Sequence, residues 1–176
     1  MTFSNLGKKV EADSIYEVEY GVSDCDTVVA ICESENHLCF ARIKEYEFAG
    51  FLIVRRDTCI PIYGPELEFS KKIILNEKIQ IPNSNILDEE DFSFEKLLNS
   101  LHLEGMAFCC VKIGADEMFI GKILFLTDDH FCLQAISSEG DESREIFNLD
   151  LVEQIHFYGS YEEAIGRYAF PNAEAS

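Results

Sequence analysis

The sequence predicts a mainly β protein built from two tandem, small, strongly bent β-barrels with two short helices. Of its 176 residues 47% are hydrophobic, and 14 phenylalanines with no tryptophan suit closely packed, pleated strands. Short apolar runs of strand length alternate with polar turns along most of the chain. A polar segment at 76–91, ending in an acidic run, is typical of a connector and divides the chain into units at 1–86 and 87–176.

The first unit begins with a predicted strand at Ser14–Val22. In this run Tyr16 and Val18 alternate with acidic residues, which is typical of a strand with one buried face. Apolar and β-branched runs predict the other strands of the unit: Thr27–Cys32, Leu38–Tyr46, Gly50–Arg56 and Lys72–Leu75.

The second unit begins with a predicted helix at 91–102. Its apolar residues recur at helical spacing, with Asp91 or Ser93 as the N-cap. A second helix is predicted at 160–168, because Ser160 and Glu163 have the spacing of a capping box. Apolar runs between the two helices predict five strands: Met106–Ile113, Met118–Leu126, His130–Ile136, Arg144–Leu149 and Val152–Tyr158.

The two units match weakly when the chain is shifted by 80 positions. Val28–Ile31 then falls on Phe108–Val111, and Phe51–Ile53 falls on Phe131–Leu133. The apolar pattern and the gap lengths agree without an insertion, which favours duplication of one strand–turn–strand plan. The alternative is that any two β meanders share such a pattern.

The second unit resembles the Sm-like fold, a small bent barrel whose pattern is shared by SH3-like barrels. The resemblance rests on a glycine within one strand, Gly121, and an aspartate before the next, Asp128, with Ile123 and Leu133 as core positions. Glycine fits the first of these because a strand bent around a small barrel must kink. The resemblance implies a five-stranded barrel preceded by the helix at 91–102.

The resemblance does not extend to the residues with which Sm-like proteins bind RNA. Those proteins carry an asparagine after the motif aspartate and an Arg-Gly or Lys-Gly pair in their second motif. Here Cys132 stands at the first position and Asn148–Leu151 at the second. In the first unit the counterparts are taken as Leu52 and Ser70–Lys72. RNA binding is therefore not expected to come with the fold.

Charge and cysteine content narrow the function further. The net charge is −19, with −5 in the first unit and −14 in the second, which disfavours nucleic acid as a partner. Seven cysteines without a C-x-x-C pair, and no signal peptide, favour a reducing cytoplasm. No apolar run is long enough to span a membrane. We expect a soluble, cytoplasmic protein.

No residue set in the sequence has the spacing of an active site. His37 and Cys39 share one strand face, but the remaining ligands of a zinc site are missing. Cys59 follows two arginines that would lower a thiol pKa, yet such a run is more typical of an exposed turn. We therefore predict no catalytic residue, no metal, no cofactor and no enzyme activity.

One basic cluster remains, formed by Arg55, Arg56, Lys71 and Lys72, and it is the candidate contact patch. It would contact a phosphate or pair with the acidic second unit. Small barrels also keep unpaired edge strands that invite association. The predicted function is a non-enzymatic protein-binding or assembly module that forms homo-oligomers. The alternatives are an RNA-binding Sm-like protein, an acidic inhibitor or immunity-type protein that binds a basic partner, and a small hydrolase.

Overall fold

The computed structural model describes residues 15–20, 24–58, 60–62, 72–74, 79–82, 92–105, 108–114 and 117–169. Strands dominate this part of the chain, as the sequence predicts. The strands in chain order are β1 Ile15–Tyr20, β2 Asp24–Glu33, β3 His37–Lys44, β4 Glu47–Arg55, β5 Ile60–Ile62, β6 Phe108–Ile113, β7 Glu117–Leu126, β8 His130–Ile136, β9 Glu142–Asn148 and β10 Val152–Phe157. The helices are α1 Phe94–Glu104 and α2 Ser160–Ala169, with a 3₁₀ turn at Leu149–Leu151.

All ten strands belong to one antiparallel sheet. Their spatial order is β5-β1-β2-β3-β4-β10-β6-β7-β8-β9, so the first five strands and the last five occupy separate parts of the sheet. The two parts meet where β4 pairs with β10. Within the described residues β5 and β9 are each paired on one side, and the sheet does not close.

The two parts of the sheet have the same strand order and nearly the same register. The pair Ile15↔Val29 in β1–β2 recurs 93 positions later as Phe108↔Lys122 in β6–β7. The next ladder also repeats, including its bulge, which lies between Ala30 and Cys32 in β2 and between Ile123 and Phe125 in β7. β5 and β10 both return to pair with the first strand of their own set.

The match at a shift of 80 positions is therefore wrong about which strands correspond. It places β2 on β6 and β4 on β8, one strand away from the correspondence shown by the pairing. The error has a simple cause. Successive strands of these meanders start 9 to 13 residues apart, as at Ile15, Asp24 and His37, so a shift by one strand again places apolar runs on apolar runs.

The sheet buries side chains on both faces, most completely in β4. Phe51 and Ile53 lie on one face, in the main core with α1 and with strands of both halves. Leu52 and Val54 lie on the other face, in a second cluster made of first-half residues. Since successive strand residues point to opposite faces, β4 is an internal strand that needs apolar residues at consecutive positions.

Helix α1 covers the main core with its apolar stripe. Phe94, Leu97, Leu98 and Leu101 are buried. The helix begins after Ser93, whose Oγ accepts a hydrogen bond from the Lys96 N–H at 3.2 Å, and it ends at Gly105 with φ +71°. Of the two N-caps that the sequence allowed, the structure therefore selects Ser93.

A close backbone contact fixes the corner where α2 leaves the sheet. Gly50 has φ +102°, and a Cβ there would lie 2.7 Å from the Cα of Gly159. A Cβ on Gly159 would in turn lie 2.8 Å from the Ala49 carbonyl oxygen. Only glycine allows the two backbones to approach this closely. This corner joins β4 of the first half to the β10–α2 turn of the second.

In the first half one predicted strand is wrong and one observed strand was not predicted. Residues 72–74 are helical, so the predicted strand at Lys72–Leu75 is wrong. The fifth strand of this half is instead the short β5, which the sequence analysis missed because Pro61 at its centre is atypical of a strand. Among the described residues, no helix has the length and apolar character to cross a bilayer.

Candidate functional site

A groove of about 530 Å³ lies between the two halves of the sheet. The β2–β3 turn and the turn after β4 form one side, and the start of α1, the β7–β8 turn and the 3₁₀ turn form the other. The residues lining it are Glu35, Asn36, His37, Arg55, Arg56, Asp57, Ser93, Phe94, Glu95, Asp128, Leu149 and Asp150. The groove thus unites segments that are far apart in the sequence.

Arg55, the last residue of β4, links the two sides of the groove. Its guanidinium forms a two-point contact with Asp57, at 3.1 Å from Nε to Oδ1 and 2.9 Å from Nη2 to Oδ2. Its Nη1 also donates to the Asp150 carbonyl oxygen at 2.9 Å. The contact with Asp57 raises the pKa of Arg55, and the same contact lowers the pKa of Asp57.

Arg56 is held on the other side, within the first half. Its Nη2 lies 2.8 Å from Oε2 of Glu33 and 3.0 Å from the Ser34 carbonyl oxygen, and its backbone N–H donates to the Asn36 carbonyl oxygen at 2.8 Å. Arg56 therefore ties the turn after β4 to the β2–β3 turn. Both arginines of the predicted contact patch are paired with carboxylates inside the molecule.

The floor of the groove is aromatic. The His37 ring meets Phe94 edge-on with the ring centroids 4.5 Å apart, and Phe92 lies 6.2 Å from the same ring. Phe94 is the first residue of α1 and is almost completely buried. This contact anchors the start of α1 on β3 of the first half.

The groove carries negative charge in spite of its two arginines. Five carboxylates line it, against two guanidinium groups that are already paired. The positive end of the α1 dipole is also occupied, by the Ser93 cap and by Glu95 in the first turn. Such a groove is unfavourable for phosphate, since an incoming anion would compete with existing carboxylate partners.

The other half of the predicted contact patch does not join this groove. Lys72 lies in the helical segment at 72–74 and is exposed, and it is absent from the groove lining. Lys71 lies outside the described residues, as does Cys59.

The strand pairing also changes which first-half residues correspond to the two motif positions of the second half. His37↔Arg55 in β3–β4 recurs 93 positions later as His130↔Asn148 in β8–β9. Cys39 therefore corresponds to Cys132, and Arg55–Arg56 to Asn148–Leu149. The counterparts assigned from the sequence, Leu52 and Ser70–Lys72, are wrong because they came from the shift of 80 positions.

A second polar group, buried at the junction of the halves, was missed by the sequence analysis. Gln154 and His156 on β10 are 2% and 5% exposed, and Glu162 on α2 is 2% exposed. Burial lowers the pKa of His156 to about 3 and raises the pKa of Glu162. Arg42 approaches this group and forms an ion pair with Asp26 at 2.6 Å. The sequence gives no signal for this burial, since Gln154 and His156 alternate on β10 like solvent-facing residues.

Metal-ligating side chains and buried thiols are two further features of the described residues. No cluster of three or more metal-ligating side chains occurs among them. Burial raises the pKa of Cys110 to about 12, and that of Cys109 still further, so neither thiol is activated as a nucleophile. The contact of Arg55 with the Asp150 carbonyl oxygen across the groove joins the two halves of the sheet, and the rim of the groove is polar and acidic.

Comparisons with protein-family models, with curated proteins and with solved structures found no significant match.

Proposed function

We propose that this chain is a non-enzymatic assembly module whose copies associate through the two outer strands of the sheet, β5 and β9. The partner is a second copy of the same chain, which makes the protein a homo-oligomer. One observation carries the proposal: inside the chain, β4 of the first half already pairs with β10 of the second.

The two halves of the sheet are equivalent in strand order and nearly so in register. Each has five strands in the same order, with matching registers in the first three ladders except for a shift near Ile43. We interpret each half as one small, strongly bent unit of the Sm-like or SH3-like kind, repeated in tandem as units 1–86 and 87–176. Under this interpretation β4 is equivalent to β9, and β5 is equivalent to β10.

The internal junction then serves as a template for contact between copies. It pairs Val54 with Gln154, Ile53 with Ile155, Leu52 with His156 and Phe51 with Phe157. The two outer strands of the sheet are the equivalents of the two strands that pair at this junction, since β9 corresponds to β4 and β5 corresponds to β10. A contact between β9 of one copy and β5 of the next would repeat the junction. Such head-to-tail contacts generate rings or filaments.

The side chains on β9 support this assignment. Ile146 is 64% exposed, and it lies in a cross-strand row with Cys132 and the 44% exposed Phe125. The residue equivalent to Ile146 is Ile53 on β4, which is fully buried opposite Ile155 at the junction. Exposed apolar side chains on the outer strand of a sheet favour a partner that covers this edge.

One residue sets a limit on the hydrogen bonding at the opposite edge. Pro61 lies at the centre of β5 and has no N–H to donate. A ladder between copies would therefore contain fewer hydrogen bonds than the β4–β10 ladder. Burial of apolar groups such as Ile146 then supplies most of the stabilisation, at about 25 cal/mol per Å² of apolar surface.

Light scattering coupled to size-exclusion chromatography, over a wide range of micromolar concentrations, tests the proposal. We expect a mass greater than that of one chain, and we expect Ile146→Lys to reduce it to the monomer. The matched control is Leu103→Lys, which replaces another exposed aliphatic side chain. Leu103 is 77% exposed and lies on α1 rather than on β9. A monomer at every concentration, or equal behaviour of the two variants, would refute the proposal.

RNA binding is not favoured as a second function. Arg55 and Arg56 occupy the position of the Arg-Gly or Lys-Gly pair that the Sm-like resemblance implies, but the glycine is missing and carboxylates hold both arginines. Binding to U-rich RNA that weakens as salt rises would reverse this conclusion.

A further inference from the structure

Two cysteines lie opposite each other in the β2–β3 hairpin. Cys32 and Cys39 are a register pair, reached immediately after the bulge that follows Ala30. Both side chains lie on the face of the sheet that packs against the main core. Cys39 is fully buried in the main core, whereas Cys32 is partly exposed at its margin.

This placement meets the geometric requirement for a disulfide. Residues directly opposite each other in antiparallel strands have Cα atoms about 4.5 to 5.5 Å apart. A disulfide needs Cα atoms about 4.4 to 6.8 Å apart, with the Cβ atoms directed towards each other. Both side chains point to the same face of the sheet, so a disulfide can form without a change of strand register.

We propose that Cys32 and Cys39 form a reversible disulfide by exchange with a small-molecule disulfide such as oxidised glutathione. The partly exposed Cys32 reacts first: its thiolate attacks one sulfur of glutathione disulfide, forms a mixed disulfide and releases one glutathione thiol. Cys39 then loses its proton and attacks Sγ of Cys32, which releases the second glutathione. Two protein thiols are oxidised to one disulfide, and one glutathione disulfide is reduced to two thiols.

The second step is the slower one. Burial, together with the neighbouring Cys32, raises the pKa of the Cys39 thiol well above its usual value. Little Cys39 thiolate is therefore present at neutral pH, and exchange proceeds through a small population. The rate should rise as the pH is increased.

The location gives the disulfide a structural consequence. Glu33, next to Cys32, holds Arg56, and the Ser34 N–H donates to the His37 carbonyl oxygen at 3.0 Å to close the turn. The turn itself carries Glu35 and Asn36 into the groove. A bond between Cys32 and Cys39 would fix the base of this turn and with it one wall of the groove.

The second half contains a matched position without this chemistry. Phe125↔Cys132 is the pair that corresponds to Cys32↔Cys39, and it follows the same bulge. Because phenylalanine stands opposite Cys132, that hairpin has no second thiol at this position. Cys132→Ser is therefore a control for removing a buried cysteine from an equivalent strand.

The test is peptide mapping by mass spectrometry under non-reducing conditions, after the folded protein has been incubated with oxidised glutathione. We expect a peptide cross-linked between Cys32 and Cys39, which dithiothreitol removes. Cys32→Ser should abolish the cross-link, Cys132→Ser should leave it intact, and Cys39→Ala should retain glutathione on Cys32.

The protein without substitutions tests the proposed disulfide even if a variant fails to fold. A folded protein in which both thiols stay reduced would overturn the proposal. So would a glutathione adduct on Cys32 that persists beside a reduced Cys39, or a cross-link from Cys32 to a different cysteine.

Discussion

Gly121 offers the sharpest test of the strand packing in the second half. It lies in β7, buried between Cys109 on β6 and Ala135 on β8. A Cβ at this position would overlap the carbonyl oxygen of Gln134 and lie 2.8 Å from its carbonyl carbon. These are backbone atoms of a paired strand, so they cannot rotate away, and Gly121→Ala must push β8 from β7.

The expected loss follows from two opposing effects. Forcing extra volume into a packed interior costs about 3 kcal/mol where backbone has to move. Replacing glycine by alanine restricts the unfolded chain, which returns about 0.7 kcal/mol. The free energy of unfolding should therefore fall by about 2 kcal/mol. With a denaturant slope of about 2 kcal/mol per molar urea, the unfolding midpoint should fall by about 1 M.

The assay is urea unfolding followed by circular dichroism, with Gly140→Ala as the control. Gly140 has φ +88° but no heavy atom within 4 Å of an added Cβ. Its replacement meets backbone strain of about 1 to 2 kcal/mol, only partly offset by the same gain in the unfolded state, so it should cost about 1 kcal/mol and less than Gly121→Ala. If both variants lose the same stability, the close approach of β7 and β8 at Gly121 is not what requires glycine there.

Two further predictions concern the junction and α1. The buried imidazole of His156 has its pKa lowered to about 3, below the value of about 6.5 in an unfolded chain, so the unfolded state binds the proton first. The free energy of unfolding should therefore fall by about 1.4 kcal/mol per pH unit as the pH drops below about 6.5, and it should level off only below the folded pKa. His156→Gln should lack this component. Urea midpoints at pH 7 and pH 5 measure it, and an equal change of midpoint with pH in the two proteins would contradict it. Ser93→Ala removes the cap of α1 and should cost about 1 kcal/mol, whereas Ser93→Asp should restore most of it; thermal unfolding of the three proteins distinguishes a lost cap from a general effect of substitution.

Local pattern was sufficient where a segment's structure depends on its own residues. The spacing of Phe94, Leu97 and Leu101 predicted α1, and the alternation around Val18 predicted β1. Both signals are periodic, and burial of one face enforces them directly. Pro61 shows the limit of this approach, since pairing with β1 makes a strand of a segment whose composition disfavours one.

The groove could not be predicted in the same way. The charge of Arg55 and Arg56 marks them in the sequence as a contact patch, either for a phosphate or for the acidic second half. Arg55 does reach the Asp150 carbonyl oxygen, although its carboxylate partner is Asp57 in its own turn. The distance between the two segments along the chain hides such a contact, because no local signal records which loops meet.

The sequence by itself determined that this protein is mainly β, acidic and divided into two similar runs of strands, because these properties follow from composition and alternation. The tertiary structure decided how the runs correspond and how they join. Residues 93 positions apart occupy equivalent places because hydrogen-bond register, rather than apolar pattern, distinguishes one strand of a meander from the next. The pairing of β4 with β10 then makes one sheet of both runs and leaves β5 and β9 as its outer strands.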